Sequence, residues 1–261
     1  MPLMRTLVFV FSCLIAGVAV CGQSAMARPP AATAPSAISP VIVIGFVGGY
    51  VSHDNMIHSE VQVAARLRAA YPVGVRAEAF ENHKGSKAYA EVLSLLDANH
   101  DGKLSDDEKK NARIILYGHS WGGSQAVTLA RQLQKIDIPV LLTIQVDSVG
   151  KHHQNDAVIP ANVAEAANFY QPHGLLHGRS EIRAADPQRT KILGNFEFDY
   201  EKNPVKCGDD YPWWDRHMVK PHTLIECDPS VWNQVDDLIR GKLPPVASGT
   251  NAPAPPHAAN Y

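Results

Sequence analysis

The chain has 261 residues, of which 45% are hydrophobic and 19% are charged, so it is long enough to bury the core of one large α/β domain. Its 24 basic and 26 acidic side chains nearly balance, and the formal net charge is -2. Nucleic acid and anionic membrane surfaces require a basic face. We therefore expect neither as a partner.

The N-terminal segment has the three parts of a secretory signal peptide. Arg5 supplies positive charge, Thr6–Val20 is apolar, and Ala25–Ala27 matches a small-residue cleavage site. We assign residues 1–27 to this signal and expect a secreted or periplasmic protein with no stable membrane insertion after cleavage. A retained anchor stays open as the alternative, although an apolar run of about 15 residues is short of the roughly 20 that span a bilayer.

The remaining chain divides by composition into a leader, one domain and a tail. Residues 28–40 are rich in Pro, Ala and Ser, and residues 243–261 form a Pro/Ala-rich tail that we expect to be disordered. The domain at 41–242 opens with Val41–Ile44, an apolar run typical of a buried parallel strand. Its next predicted elements are a helix at 59–70, a strand at 73–80 and a helix at 86–96.

An acidic loop follows the second helix and matches the pattern of an EF-hand calcium loop. Six positions are those that ligate calcium, and Gly102 stands where the loop needs its sharp turn. The predicted ligands are Asp97, Asn99, Asp101, Lys103 through its carbonyl, Ser105 and Glu108. Only a short helix, 106–112, follows before the next strand. We therefore expect a structural Ca²⁺ site rather than a sensor, with an ordinary acidic surface turn as the alternative.

The next strand, Arg113–Tyr117, runs into the sequence G-H-S-W-G and then into a helical pattern at 121–133. This is the G-x-S-x-G nucleophile elbow in its expected context, a sharp turn between a strand and a helix with serine at the apex. The flanking glycines allow close approach of the neighbouring backbone. Ser120 is therefore the candidate nucleophile, with no cofactor needed for catalysis.

The second half of the domain supplies an acid and a histidine. A buried strand at Val140–Val146 ends in Asp147, and we expect further strands at 162–171, for which a short helix is the alternative, and at 190–198. His222 lies in a predicted loop shortly before a final helix at 229–239.

Two cysteines remain once the signal peptide has removed Cys13 and Cys21. In an oxidising compartment, Cys207 and Cys227 are expected to form a disulfide bond that brackets His222. Closing a loop of this size contributes about 3 kcal/mol on the chain-entropy model. Two buried free thiols are the alternative.

From about Val41 to Ile239 the chain resembles the α/β-hydrolase superfamily, with lipases and carboxylesterases the most similar in pattern. The resemblance rests on a glycine-rich loop after an early strand, the elbow, and an acid and a histidine in the order Ser, Asp, His. It implies an α/β fold with a mostly parallel central sheet and helices on both faces. It also implies an oxyanion hole formed by the backbone N–H of Trp121 and that of Phe46 or Val47.

The order of residues leaves two choices open within this resemblance. The base is assigned to His222, with His217 as the alternative. The acid is assigned to Asp147, with Asp186 and Asp199 in reserve, because the later strand ends without a carboxylate.

The resulting hypothesis is an exported serine esterase or lipase that acts on a small-molecule or lipid ester through an acyl-enzyme. Two alternatives stay open at this point. One is a non-catalytic, calcium-dependent binding module on a hydrolase scaffold, and the other is an acyltransferase or peptidase of the same fold.

Overall fold

A computed structural model describes residues 40–245 of the chain. The proposed signal peptide, the leader up to residue 39 and the tail from residue 246 onward lie outside this range. Within it, none of the helices has the length and apolar character needed to cross a membrane.

Six parallel strands form the central sheet, in the order β2-β1-β3-β4-β6-β8. Two short strands, β5 and β7, pair separately. The bounds are β1 Val41–Val47, β2 Val75–Glu81, β3 Arg113–His119, β4 Val140–Val146, β5 Val158–Ile159, β6 Val163–Tyr170, β7 Arg183–Ala184 and β8 Lys191–Glu197. Because the order reverses between β1 and β3, their carboxyl ends open a crevice of the kind where α/β proteins bind ligands.

Helices cover both faces of this sheet. The bounds are α1 Ser59–Ala70, α2 Gly85–Leu96, α3 Asp106–Lys110, α4 Trp121–Gln134, α5 Trp213–His217, α6 Lys220–Cys227 and α7 Pro229–Arg240. Helices α1 and α7 contribute to the apolar core on one face, and α2 and α4 contribute to the core on the other. The predicted α/β class, with a mostly parallel sheet and helices on both faces, is confirmed.

Strand β1 shows why the sheet is covered on both sides. Val41 and Val43 point into one core, whereas Ile42, Ile44 and Phe46 point into the other. Side chains alternate along a strand, so a continuous apolar run fills two layers at once. This strand is therefore buried on both faces and carries its carboxyl end to the crevice.

Two local expectations were wrong. Strand β1 extends three residues beyond Ile44, to Val47, so the sharp turn begins at Gly48. His222 lies in the third position of helix α6 rather than in a loop, because Pro221 fits the first turn of a helix. The histidine therefore lies in the first turn of a helix.

The predicted disulfide bond is present. It joins Cys207 to Cys227 at the end of helix α6, across 20 positions of sequence. The bond encloses α5 and most of α6, and it ties the helix that carries His222 to the preceding loop.

Candidate active site

Ser120 occupies the turn between β3 and α4, with its backbone at φ 55° and ψ -126°. An L-residue rarely adopts a positive φ, so the surrounding structure must hold this conformation in place. The Ser120 N–H donates to the carbonyl of Val146, and its own carbonyl accepts from the N–H groups of Gly123 and Val149. These bonds fix the serine against the end of β4.

The two glycines of the elbow lie against backbone atoms. A Cβ on Gly122 would lie 2.0 Å from the carbonyl oxygen of Phe46, and one on Gly118 would lie 2.5 Å from the carbonyl carbon of Gly122. Neither neighbour is a flexible side chain that can move away. The motif therefore requires glycine at both positions because β1 packs directly against the turn.

Ser120, His222 and Asp147 form a continuous hydrogen-bonded line. His222 Nε2 lies 2.8 Å from Ser120 Oγ, and His222 Nδ1 lies 2.7 Å from Asp147 Oδ2. The proton positions follow from the partner groups. The carboxylate can only accept a hydrogen bond, so Nδ1 carries the proton, and Nε2 then accepts from the serine hydroxyl. All three side chains are buried.

Asp147 is held by several donors besides His222. Its Oδ1 accepts from the Gly178 N–H at 2.7 Å, and the Gln171 side-chain amide donates to its Oδ2 at 2.9 Å. These donors satisfy a carboxylate that has no exposed surface. Neither partner could be predicted from the sequence, because Gln171 is an ordinary polar residue directly after strand β6 and Gly178 lies in an irregular loop.

The alternative acid and base residues lie elsewhere. Asp186 accepts the N–H of Gln188 in a surface turn. Asp199 pairs with Lys202, at 2.7 Å, and with His173. The ammonium of Lys202 lowers the pKa of Asp199 to about 2. His217 is exposed and stacks on Trp213, with ring centroids 4.7 Å apart.

A cavity of about 200 Å³ opens at Ser120. The turn after β1 contributes Gly48 and Gly49 to the lining of this cavity, whereas Phe46 does not line it. The Phe46 side chain is fully buried in the core and its backbone pairs with β2 and β3, so Phe46 contacts the elbow through its carbonyl but does not line the cavity. Val47, the other residue considered for this role, also lies inside β1.

Trp121 does line the cavity and is the first residue of helix α4. The N–H groups of a first helical turn have no acceptor within the helix, so they are available to an anion at this point. The Trp121 indole lies at the rim, packed edge-on against the exposed ring of Tyr50.

A second buried polar group lies behind His222 and was not expected from the sequence. It consists of His58, Glu60, His119 and Glu226, whose side chains are at most 9% exposed. His119 Nε2 contacts the carbonyl oxygen of His222 at 3.2 Å, and the two rings are 4.5 Å apart. Glu226 lies one helical turn after His222, so the two residues are on the same side of helix α6. Predicting this segment as a helix would have placed Glu226 near the base.

Burial sets the electrostatics of this group. It raises the pKa of Glu60 to about 8, and the facing charge of Glu226 adds to that effect. Burial also acts to raise the pKa of Glu226, but the hydrogen bond from His58 and the charge of that ring act in the opposite direction, and the net shift is downward. Burial lowers the pKa of His119 to about 4, with the charge of His222 acting in the same direction. His119 is therefore neutral near pH 7.

The acidic loop before β3 is folded on itself by its own side chains. Asp97 accepts from the N–H groups of Asp101 and Gly102, and Gly102 has φ 78° as the sharp turn requires. Glu108 accepts from the Ala98 N–H and from both donors of Ser105. Its oxygen-rich and exposed donor set has the chemistry that Ca²⁺ prefers.

No family model and no curated protein matches the chain. Solved structures similar to it include a thermostable esterase from Pseudomonas putida ECU1011, at 12% identity and a TM-score of 0.40, covering 79% of this chain and 74% of that one. Another is a cutinase-like protein from Cryptococcus sp., at 11% sequence identity and a TM-score of 0.40. The match covers 80% of this chain and 98% of that one. A third is the RedJ thioesterase of the prodiginine biosynthetic pathway in Streptomyces coelicolor, at 9% sequence identity and a TM-score of 0.39. The match covers 85% of this chain and 100% of that one. Because TM-scores this low carry no argument, the fold rests on the strand order and the chemistry on the site geometry.

The close contact between Gly122 and Phe46 gives the first prediction. Gly122→Ala places a methyl group 2.0 Å from a backbone carbonyl oxygen, so the elbow must shift. Overpacking of this kind typically costs about 1–3 kcal/mol. We expect a lower midpoint of urea unfolding for this variant.

Gly208→Ala is the matched control, because the nearest atom to a Cβ at that exposed glycine lies 3.8 Å away. We expect its midpoint to stay close to that of the wild type. Equal midpoints for Gly122→Ala and Gly208→Ala would contradict the packing described here.

Proposed function

We propose that this chain is a serine hydrolase of the α/β-hydrolase type that cleaves carboxylic esters through an acyl-enzyme on Ser120. The observation that carries the proposal is the line of hydrogen bonds from Asp147 through His222 to Ser120, at 2.7 and 2.8 Å. A nucleophile, a base and a residue that orients the base are the three parts that acyl transfer needs. The strained backbone at Ser120 further supports this role.

In the first half of the reaction, Ser120 Oγ attacks the acyl carbon while His222 Nε2 takes the hydroxyl proton. The Asp147 carboxylate stays ionised and stabilises the imidazolium that forms. The oxyanion of the tetrahedral intermediate is stabilised by the Trp121 N–H and by a backbone N–H of the turn that begins at Gly48. Collapse of the intermediate expels the alcohol, which receives the proton from His222.

In the second half, His222 takes a proton from water, and the resulting hydroxide attacks the acyl-enzyme. The same oxyanion site stabilises the second tetrahedral intermediate. Its collapse releases the carboxylic acid and returns the proton to Ser120. Each half begins and ends with a neutral His222, so the two buried hydrogen bonds are restored after every turnover.

The substrate class follows from the site's size and from the chemistry of its walls. A cavity of about 200 Å³ lined in part by Leu176 and Val219 fits a small acyl group, with the rest of a small-molecule or lipid ester extending past Trp121. The Cys207–Cys227 bond supports export to an oxidising compartment, secreted or periplasmic.

The central test of this function is ester turnover by Asp147→Asn. The amide donates where the carboxylate accepts, so His222 loses its orientation and the stabilisation of its charged form. In a serine protease triad the same change costs about 10⁴ in kcat. We expect a loss of about 10³–10⁴ in kcat for p-nitrophenyl acetate and butyrate, with the far-UV circular dichroism spectrum unchanged.

Asp199→Asn is the matched control, because this partly buried aspartate also pairs with a histidine but lies away from Ser120. Its kcat should stay within a few-fold of the wild type. Comparable losses in the two variants would count against Asp147 as the triad acid. A wild-type protein without turnover of any ester would refute the proposed function.

We also propose that the loop at 97–108 binds one structural Ca²⁺. The support is its complete ligand pattern and the turn at Gly102, together with the exposed oxygen donors. Helix α3 has only five residues, so the loop lacks the long exiting helix of a sensor. In this proposal the ion stabilises the connection into β3 and takes no part in the reaction.

Removal of calcium tests this second proposal. We expect EGTA to lower the melting temperature of the wild type, because an ion that binds only the folded chain stabilises it. Asp97→Ala and Glu108→Ala should abolish the difference between melts with calcium and with EGTA. If the wild-type melting temperature is the same in both, the loop is an acidic turn and the proposal fails.

A further inference from the structure

The buried group behind His222 joins three elements of the fold. His58 precedes helix α1 and Glu60 lies in its first turn, His119 ends strand β3, and Glu226 lies near the end of helix α6. The ligand atoms of His58, Glu60 and Glu226 all lie within 4.8 Å of one another. Among the residues from 40 to 245, this is the one group of three or more acidic, histidine or cysteine side chains gathered so closely.

The group contains a carboxylate without a partner. Both side-chain oxygens of Glu60 are buried and accept no hydrogen bond, and the residue has no exposed surface. A buried carboxyl group without a hydrogen-bond partner is costly in either protonation state, and pairing with a cation or coordinating a metal relieves that cost. Its nearest histidine, His119, lies with Nδ1 4.0 Å from Glu60 Oε1.

The ring of His119 is oriented so that a lone pair faces both glutamates. Its Nε2 contacts the carbonyl oxygen of His222, which can only accept, so Nε2 carries the proton. Nδ1 of the neutral ring is then an acceptor, 3.7 Å from Glu226 Oε2 and 4.0 Å from Glu60 Oε1. These separations are too long for a hydrogen bond, so a proton does not bridge them.

A metal ion fits these separations better than a proton does. Zinc binds histidine nitrogen and carboxylate oxygen at about 2.0–2.2 Å, which places the ligand atoms of a tetrahedral site about 3.4 Å apart. The observed gaps to His119 Nδ1 are a few tenths of an ångström longer, whereas His58 Nδ1 and Glu226 Oε1 are in direct hydrogen-bond contact and must separate to admit an ion. The contact of Nε2 with a backbone carbonyl is also the arrangement that orients histidine ligands in metal sites.

The geometry points to a closed, four-ligand site for a divalent transition metal, zinc in particular, formed by His58 Nδ1, His119 Nδ1 and the carboxylates of Glu60 and Glu226, with His58 Nδ1 losing its proton and its hydrogen bond to Glu226 when the ion binds. Two imidazoles select a first-row transition metal over calcium. The two carboxylates balance the charge of the ion. His58, His119 and Glu226 line the cavity at Ser120, which supplies the entry path.

Such an ion would act as a positioning centre rather than as a catalyst. It would hold helices α1 and α6 and strand β3 together, directly behind the base. Through the contact of His119 with the His222 carbonyl, it would fix the backbone that carries the imidazole. The ion would not touch the substrate, and this site is separate from the calcium loop in both residues and ligand chemistry.

Metal binding is tested on the full chain, independently of ester turnover. The protein is stripped with a zinc-selective chelator, the chelator is removed, and the protein is titrated with Zn²⁺ by calorimetry and with Co²⁺ by visible absorption, in the presence of excess Ca²⁺ that occupies the loop at 97–108. We expect about one ion per chain, a tetrahedral Co²⁺ spectrum and a higher melting temperature with zinc. A stripped wild type that binds neither ion, or shows only an octahedral Co²⁺ spectrum, would overturn the proposal.

Glu60→Gln and Glu226→Gln remove one ligand each and keep the size of the side chain. We expect zinc affinity to fall at least about tenfold in both. The matched control is Glu165→Gln, which changes a glutamate of strand β6 that pairs with Lys242. This variant should bind zinc as the wild type does. Equal affinity in the Glu60 and Glu165 variants would place the metal elsewhere, and Asp97→Asn distinguishes binding at the calcium loop.

Discussion

The close packing of strand β1 against the turn that carries Ser120 is the contact on which the site depends. The Phe46 carbonyl occupies the space that a side chain at residue 122 would need. This close contact restricts the backbone conformation of the turn that leads into helix α4. The turn holds Ser120 at a positive φ and points its hydroxyl at His222. The core of the sheet thus supplies the free energy that maintains a strained residue at the surface of the cavity.

A second constraint is the burial of charge on both sides of His222. On one side, Asp147 is paired with backbone and amide donors and with His222 itself. On the other side, two glutamates and two histidines are buried together, and both side-chain oxygens of Glu60 have no hydrogen-bond partner. The histidine is therefore held between a satisfied carboxylate and an unsatisfied cluster. This difference supports both proposals, in which Asp147 orients the base and the buried cluster binds a cation.

Patterns that depend on neighbouring residues predicted most of the framework. Apolar runs identified β1, β3 and β4, and the elbow and the order of acid and base pointed to Ser120, Asp147 and His222, which the structure brings together. The expectations that failed depend on contacts distant in sequence. Phe46 was placed at the site because nothing local shows that β1 continues to Val47. The partnership of Glu60 and Glu226 could not be predicted either, since 166 positions separate them and an acid in a first helical turn is usually a capping charge.

Covalent labelling is the most direct test of the central claim that Ser120 is an activated nucleophile. The protein is treated with a fluorophosphonate, digested and examined by mass spectrometry for the peptide that contains residues 113–123. We expect one phosphonyl group on Ser120 of the wild type and none on the Ser120→Ala variant. An unlabelled wild type, or a label that persists at another residue in Ser120→Ala, would contradict it.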